Sequence, residues 1–189
     1  MNIFVLDKDP VKAAQFHCDK HVVKMILEAG QMMCASHWMW NLWSLRKTLK
    51  DFKRIRDAKD FIIANTDQRY LPPWSMTHVR HPCTIWTGNV TGNYFWHEQL
   101  MRALLDEYTR RYNRKHKSEV VYEWLSKNMP QNINPGMMTT HPQCMPDDCK
   151  VPGNTVLAYR NYYNKHKAYM AKWNKLGNVP HWYKGNSNV

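Results

Sequence analysis

From Val11 to Met32 the apolar residues of the chain recur at helical spacing. Val11, Ala14, Cys18, Val22, Met25, Ile26, Ala29 and Met32 make one stripe. Phe16, Val23 and Leu27 add a smaller apolar edge. Only a narrow strip is polar or ionisable: His17, Lys20, His21, Lys24, Glu28 and Gln31. Asp9 is a capping residue and Pro10 suits a first helical position, so the spacing predicts one helix from Pro10 to about Ser36. A surface helix carries a broad polar face. A helix apolar over most of its circumference, with one charged strip, is expected to line a cleft, where burial and neighbouring charges tune ionisation for chemistry.

The remaining pattern is also helical. Trp38, Trp40, Leu42, Trp43 and Leu45 follow in helix or turn. Pro72, Pro73 and Pro82 exclude a single helix through 71–83. A second long helix is expected from Thr84 or Asn89 to Arg114, on the repeat Tyr94, Leu100, Met101, Leu104, Leu105 and Tyr108. Ser118 is read as the cap of a shorter helix to Ser126, and Asn154 as the cap of a last one to about Leu176. Five prolines between 128 and 153 predict a long irregular segment. Residues 2–6 alone read as extended. The expectation is a mainly α chain, one compact helical domain over 1–189, with long Pro-rich loops and a short extended N-terminus.

Lysine and arginine number 27 against 15 acids, a net charge of +12 with neutral histidines. Such an excess favours a polyanion, most often nucleic acid. Two basic segments are the candidate phosphate contacts: Arg46, Lys47, Lys50, Lys53 and Arg54, with Arg56 and Lys59 beyond them, and Arg110, Arg111, Arg114, Lys115 and Lys117. Trp182 and Tyr183 are candidates to stack on an unpaired or everted base. No apolar run approaches the ~20 residues of a membrane helix, so no membrane partner is expected. Residues 1–6 are too short for a signal peptide, which points to the cytoplasm. Five cysteines, an odd number, argue against a disulfide framework in a reducing compartment.

The strip carries the candidate chemistry. A lysine amine attacks carbon only when neutral, and crowding of Lys20, His21 and Lys24 within one turn favours that form. Glu28, one turn past Lys24, would steady a cationic intermediate, with His17 and His21 as acid/base groups or phosphate ligands. In the alternative, Lys20 and Lys24 bind phosphate and Glu28 pairs with Lys24. His17 and His21 have the i,i+4 spacing of metal ligands, and Cys18, Asp19, His141, Cys144 and Cys149 are further donors. No CxxC pair and no HExxH accompanies them, so no metal and no cofactor is expected. His81, held extended before Pro82, and Asn93, with Asn89 and His97 on its face, are candidates to line the same cleft, as is Gln31.

An extended start, a first helix bearing HCDKHVVKMILE, a His-Pro loop opening an aromatic and basic central helix, and the closing Pro180-His181-Trp182-Tyr183-Lys184 together resemble the endonuclease V-type pyrimidine dimer DNA glycosylases of bacteriophages. The first two features are also similar to a set of uncharacterised phage proteins. The glycosylase resemblance implies an all-α monomer in the host cytoplasm that binds duplex DNA with an everted base. It implies an imine between an amine and sugar C1′, with strand cleavage by β-elimination and no metal. In the family the nucleophile is the N-terminal α-amine, here that of Met1, and a first-helix glutamate is essential. Lys24 stands at the glutamate's position and Glu28 one turn on. The alternatives from other classes are a non-catalytic nucleic-acid-binding phage protein and an enzyme acting on free, modified pyrimidine nucleotides.

Overall fold

The computed structural model describes residues 1–130, 132–175 and 178–185. Seven α-helices carry the described chain, with no strand among the described residues: α1 (Pro10–Phe16), α2 (Asp19–Ser44), α3 (Ile55–Asn65), α4 (Pro82–Asn89), α5 (Thr91–Tyr112), α6 (Glu119–Lys127) and α7 (Thr155–Tyr162). The mainly α expectation holds, and residues 2–6 run without regular structure. None of the described helices is long and apolar enough to cross a membrane.

The predicted first helix is two helices. The Asp9 carboxylate accepts from the Val11 and Lys12 N–H groups, as its position at the cap suggests. The helix then stops at Phe16, because His17 adopts an extended backbone (φ −63°, ψ 135°). Its carbonyl is taken by the Arg111 guanidinium at 2.8 Å instead of by the next helical turn. Cys18 follows, and α2 restarts at Asp19, whose own N–H donates to the Lys172 carbonyl at 2.8 Å. From there α2 runs to Ser44, past the predicted end near Ser36, and takes in Trp38, Trp40, Leu42 and Trp43.

Of the two starts expected for the central helix, the later one, Asn89, stands near the observed one: the chain breaks at Val90 (φ −143°, ψ 158°), which separates α4 from α5. The first turn of α5 has backbone donors without helical acceptors. The loop after α6 supplies them: Thr91 N–H donates to the Asn134 carbonyl (2.9 Å) and Gly92 N–H to the Gly136 carbonyl (3.0 Å). Asn154 caps α7 by accepting from Leu157 N–H (3.0 Å). The regular helix ends at Tyr162, and a π-helical turn, Tyr163–Lys167, follows. The expected end at Leu176 lies outside the described residues.

The chain forms two compact units. Unit one comprises Met1–Glu28, Gln99–Glu119 and the chain from Thr140 onward. Its core centres on Phe4, whose ring meets His21 at 4.4 Å, Tyr163 at 5.5 Å, Tyr159 at 5.7 Å and Tyr162 at 5.8 Å between centroids. Such offset and edge contacts add to the burial of large rings. Unit two comprises Ala29–Glu98 and Val120–Thr139. Ala35, Trp38, Leu42, Ile62, Met76 and Val79 form a buried cluster there, flanked by Phe52 and Phe61.

Candidate functional site

Residues 1–28 and 140–163 of unit one bring the polar groups of the N-terminus together. The Glu28 carboxylate, 9% exposed, is the centre. Its Oε2 accepts from Asn2 N–H at 2.8 Å and lies 3.7 Å from the Met1 amine. Its Oε1 lies 3.2 Å from Lys24 Nζ, one turn earlier on α2. The Lys24 side chain is 64% exposed, so solvent reaches the pair from its side. Asn2 is locked in turn. Its Nδ2 donates to the Cys144 carbonyl (2.7 Å), and its Oδ1 accepts from the Tyr159 hydroxyl (2.7 Å) and from Ile3 N–H (2.9 Å). A carboxylate thus stands between two amines, on backbone held from three chain segments. That arrangement can take a proton from an amine and offset positive charge forming on it.

The ionisable strip does not survive intact. Lys20, Lys24 and Glu28 share α2, with both lysines exposed. His17 precedes that helix and is wholly buried, its Nδ1–H donating to the Ala13 carbonyl at 2.6 Å. Burial lowers its pKa to about 4. His21 sits in the Phe4 cluster with its Nδ1 2.5 Å from the Tyr163 hydroxyl. Burial, reinforced by the charge of His17, lowers its pKa to about 2. Both rings are neutral core groups at pH 7. This corrects their reading as acid/base groups or phosphate ligands on the lysine strip.

The other expected substrate contacts are mostly structural. Asn93 is buried, and both ends of its amide are engaged: it donates to the Trp86 carbonyl and Thr139 Oγ1 and accepts from Thr139 N–H. His81 caps α4, its Nδ1 accepting from Cys83 N–H at 3.2 Å. Gln31 is half-buried on α2 in unit two. Trp182 packs on Phe16 and Tyr163 with the Arg160 guanidinium 5.4 Å from its ring, and Tyr183 packs on Trp173 at 4.7 Å. These two rings are half-buried packing groups of unit one rather than an open stacking platform.

The basic segments divide the same way. Arg46, Lys47, Lys50 and Lys53 are exposed, as is Arg54, which makes a fork with Asp57. Arg110 pairs with Glu107, Lys115 with Glu119, and Arg114 lies over the Tyr108 ring, all at the surface with Lys117. Arg111 is the correction. Its side chain is 0% exposed and binds Glu107, Asp19 and the carbonyls of Gln15 and His17. It has no surface to offer a phosphate.

Two features escaped sequence reasoning. Unit two holds a cavity of about 460 Å³ lined by His37, Trp40, Tyr70 and Trp124 with the amides of Asn41 and Asn128, within the range of small-molecule sites. Its signal was the interleaving of Trp40, Asn41 and Ser44 on one turn of α2. The second is a group of metal-type donors in unit one, Asp148, Cys149 and His166. Cys149 stood among the candidate donors, but His166 did not, since nothing in a linear spacing links 149 to 166. No family model matches the chain, and no curated protein and no solved structure matches it.

Proposed function

We propose that the chain is a DNA-binding enzyme of the glycosylase/lyase type, acting on a damaged or modified pyrimidine through an amine. The observation that carries this reading is the Glu28 carboxylate, 3.7 Å from the Met1 amine and 3.2 Å from Lys24 Nζ. The Met1 amine is the nucleophile in this reading, and Lys24 is the solvent-side cation that draws the phosphodiester toward it. The neutral amine attacks C1′, the base leaves with a proton, and the C1′–O4′ bond then breaks as O4′ takes up a proton from solvent. On an abasic aldehyde, the amine adds and water leaves. Either route gives a protonated imine whose charge Glu28 offsets. Loss of the C2′ proton to solvent breaks the C3′–O3′ bond, and hydrolysis returns the amine. The exposed cations of residues 46–54 and 110–117 supply sequence-independent affinity for the duplex.

Borohydride trapping tests this directly, on duplex DNA carrying one abasic site and with chelator present in a parallel arm. The expected result is a covalent adduct in both arms that maps to residue 1, is lost in Glu28→Gln and is retained in Lys20→Ala. Duplex binding without an adduct would leave a non-catalytic nucleic-acid-binding protein. Failure of both, at low salt, would favour a free nucleotide as substrate.

A further inference from the structure

We propose that Asp148, Cys149 and His166 form a zinc-class metal site with three protein ligands and one position left to solvent. The inference goes beyond the amine–carboxylate reading and does not rest on it. The residues come from two elements of unit one. Asp148 and Cys149 lie in a single 3-10 turn, Asp147–Cys149, and His166 in the π-helical turn Tyr163–Lys167. A π-helical turn widens the helix and shifts the side chains after it relative to an α-helical continuation, and such turns gather at functional sites.

The distances suit coordination. The Asp148 Oδ1–Cys149 Sγ separation is 3.6 Å, and His166 Nε2 lies 3.0 Å from Asp148 Oδ2 and 3.2 Å from its Oδ1. Zinc bonds of ~2.3 Å to sulfur and ~2.0 Å to nitrogen and oxygen, set tetrahedrally, place S and O about 3.5 Å apart and N and O about 3.3 Å apart. All three donor atoms lie within 4.8 Å of one another. A tetrahedral S···N edge is also about 3.5 Å, so closing the third side needs a movement of at most ~1.3 Å. The carboxylate and imidazole are exposed and able to make it, while the thiol is on a buried residue and anchors the set.

Thiolate with imidazole and carboxylate is a donor set for zinc rather than for calcium or magnesium, which take oxygen alone. Lys165 is the competing cation, its Nζ 3.5 Å from Asp148 Oδ2. The same amine donates to the Asp148 carbonyl (2.5 Å), and with its side chain 51% exposed it can turn to solvent as the metal enters. Binding exchanges the thiol proton, released to solvent, for a metal–sulfur bond. With three protein ligands, the fourth position falls to water, the pattern of sites that polarise a bound water or substrate oxygen.

The test is Co²⁺ titration of the full chain after dialysis against chelator, followed by absorbance. A thiolate-to-cobalt band in the near ultraviolet is expected, saturating at one equivalent and bleached by Zn²⁺. It should vanish in Cys149→Ser and persist in Cys144→Ser. In His166→Ala the apparent affinity should fall by more than about tenfold. Circular dichroism reports whether each variant is folded, and His166→Ala stands in if Cys149→Ser is not. Absence of a thiolate band with Co²⁺ in excess would overturn the site, as would a band that survives in folded Cys149→Ser or an affinity unchanged in His166→Ala. The borohydride adduct should form with or without chelator, so the two readings fail separately.

Discussion

The Arg111 guanidinium is bonded to the carboxylates of Glu107 (2.8 Å) and Asp19 (3.1 Å) and to the carbonyls of Gln15 (2.9 Å) and His17 (2.8 Å). A buried charge so completely paired is costly to break from one side, because its partners stay behind without it. Among the described residues, Asp19 would keep the Asn174 and Lys175 N–H groups on its other oxygen. Arg111→Ala is therefore expected to destabilise the protein by about 3–5 kcal/mol, read as a lower denaturation midpoint in urea. Lys47→Ala, at an exposed position, should leave the midpoint unchanged within about 0.5 kcal/mol. A stable Arg111→Ala protein with weakened DNA binding would instead make Arg111 a phosphate contact. In sequence Arg111 was one cation of a basic run. Nothing in that run distinguishes a residue facing carbonyls from one facing water, since the difference lies in residues about 90 positions away.

At the scale of elements, the joint between α4 and α5 depends on a residue without a side chain. A Cβ added at Gly92 would meet Met138 N at 2.3 Å, Met137 C at 2.7 Å and the Gly136 carbonyl oxygen at 2.9 Å. These are backbone atoms, held in place by the Asn93–Thr139 bonds and by the Trp86 indole donating to the Thr139 carbonyl (3.2 Å). Gly92→Ala, which on an ordinary helix would stabilise, is here expected to cost about 1–3 kcal/mol. A thermal melt measures it, and an unchanged or raised midpoint would mean that the 134–139 loop does not dock as described. The helical type of these segments was legible because their apolar repeats are long. The break at His17–Cys18 was not, because the apolar phase runs on across it, and the break at Val90 showed only as a choice of start between Thr84 and Asn89. Each break is made by a partner remote in sequence, Arg111 for one and the 134–139 loop for the other.

Over the whole molecule, the buried histidines set the response to acid. Burial lowers His17 to about 4, His21 to about 2, and His37 and His141 to about 3. In the unfolded chain each titrates near 6.5. Below that pH the unfolded state binds protons that the folded state refuses, so stability falls as pH falls, beginning near 6.5 and continuing to about 4 for His17 and lower for the others. At pH 5.5 each histidine contributes roughly 1.4 kcal/mol of this loss. Four together approach the whole stability of an ordinary domain. The melting temperature should drop steeply between pH 7 and 5.5, before the carboxylates titrate. A flat profile over that range would show that these rings are hydrated in the folded protein. What the sequence determined by itself was the helical character, the excess of positive charge and the placing of Lys20, Lys24 and Glu28 on one helix. Each depends on local spacing or on simple summation. The tertiary structure alone decided that His17 and His21 are neutral core groups, that Arg111 is a structural tie, that the N-terminal amine meets Glu28 and that His166 meets Asp148 and Cys149. Burial and pairing are set by what lies opposite a residue in space, and in this chain the opposing residue lies 18 positions away for His166 and Asp148 and 142 for His21 and Tyr163.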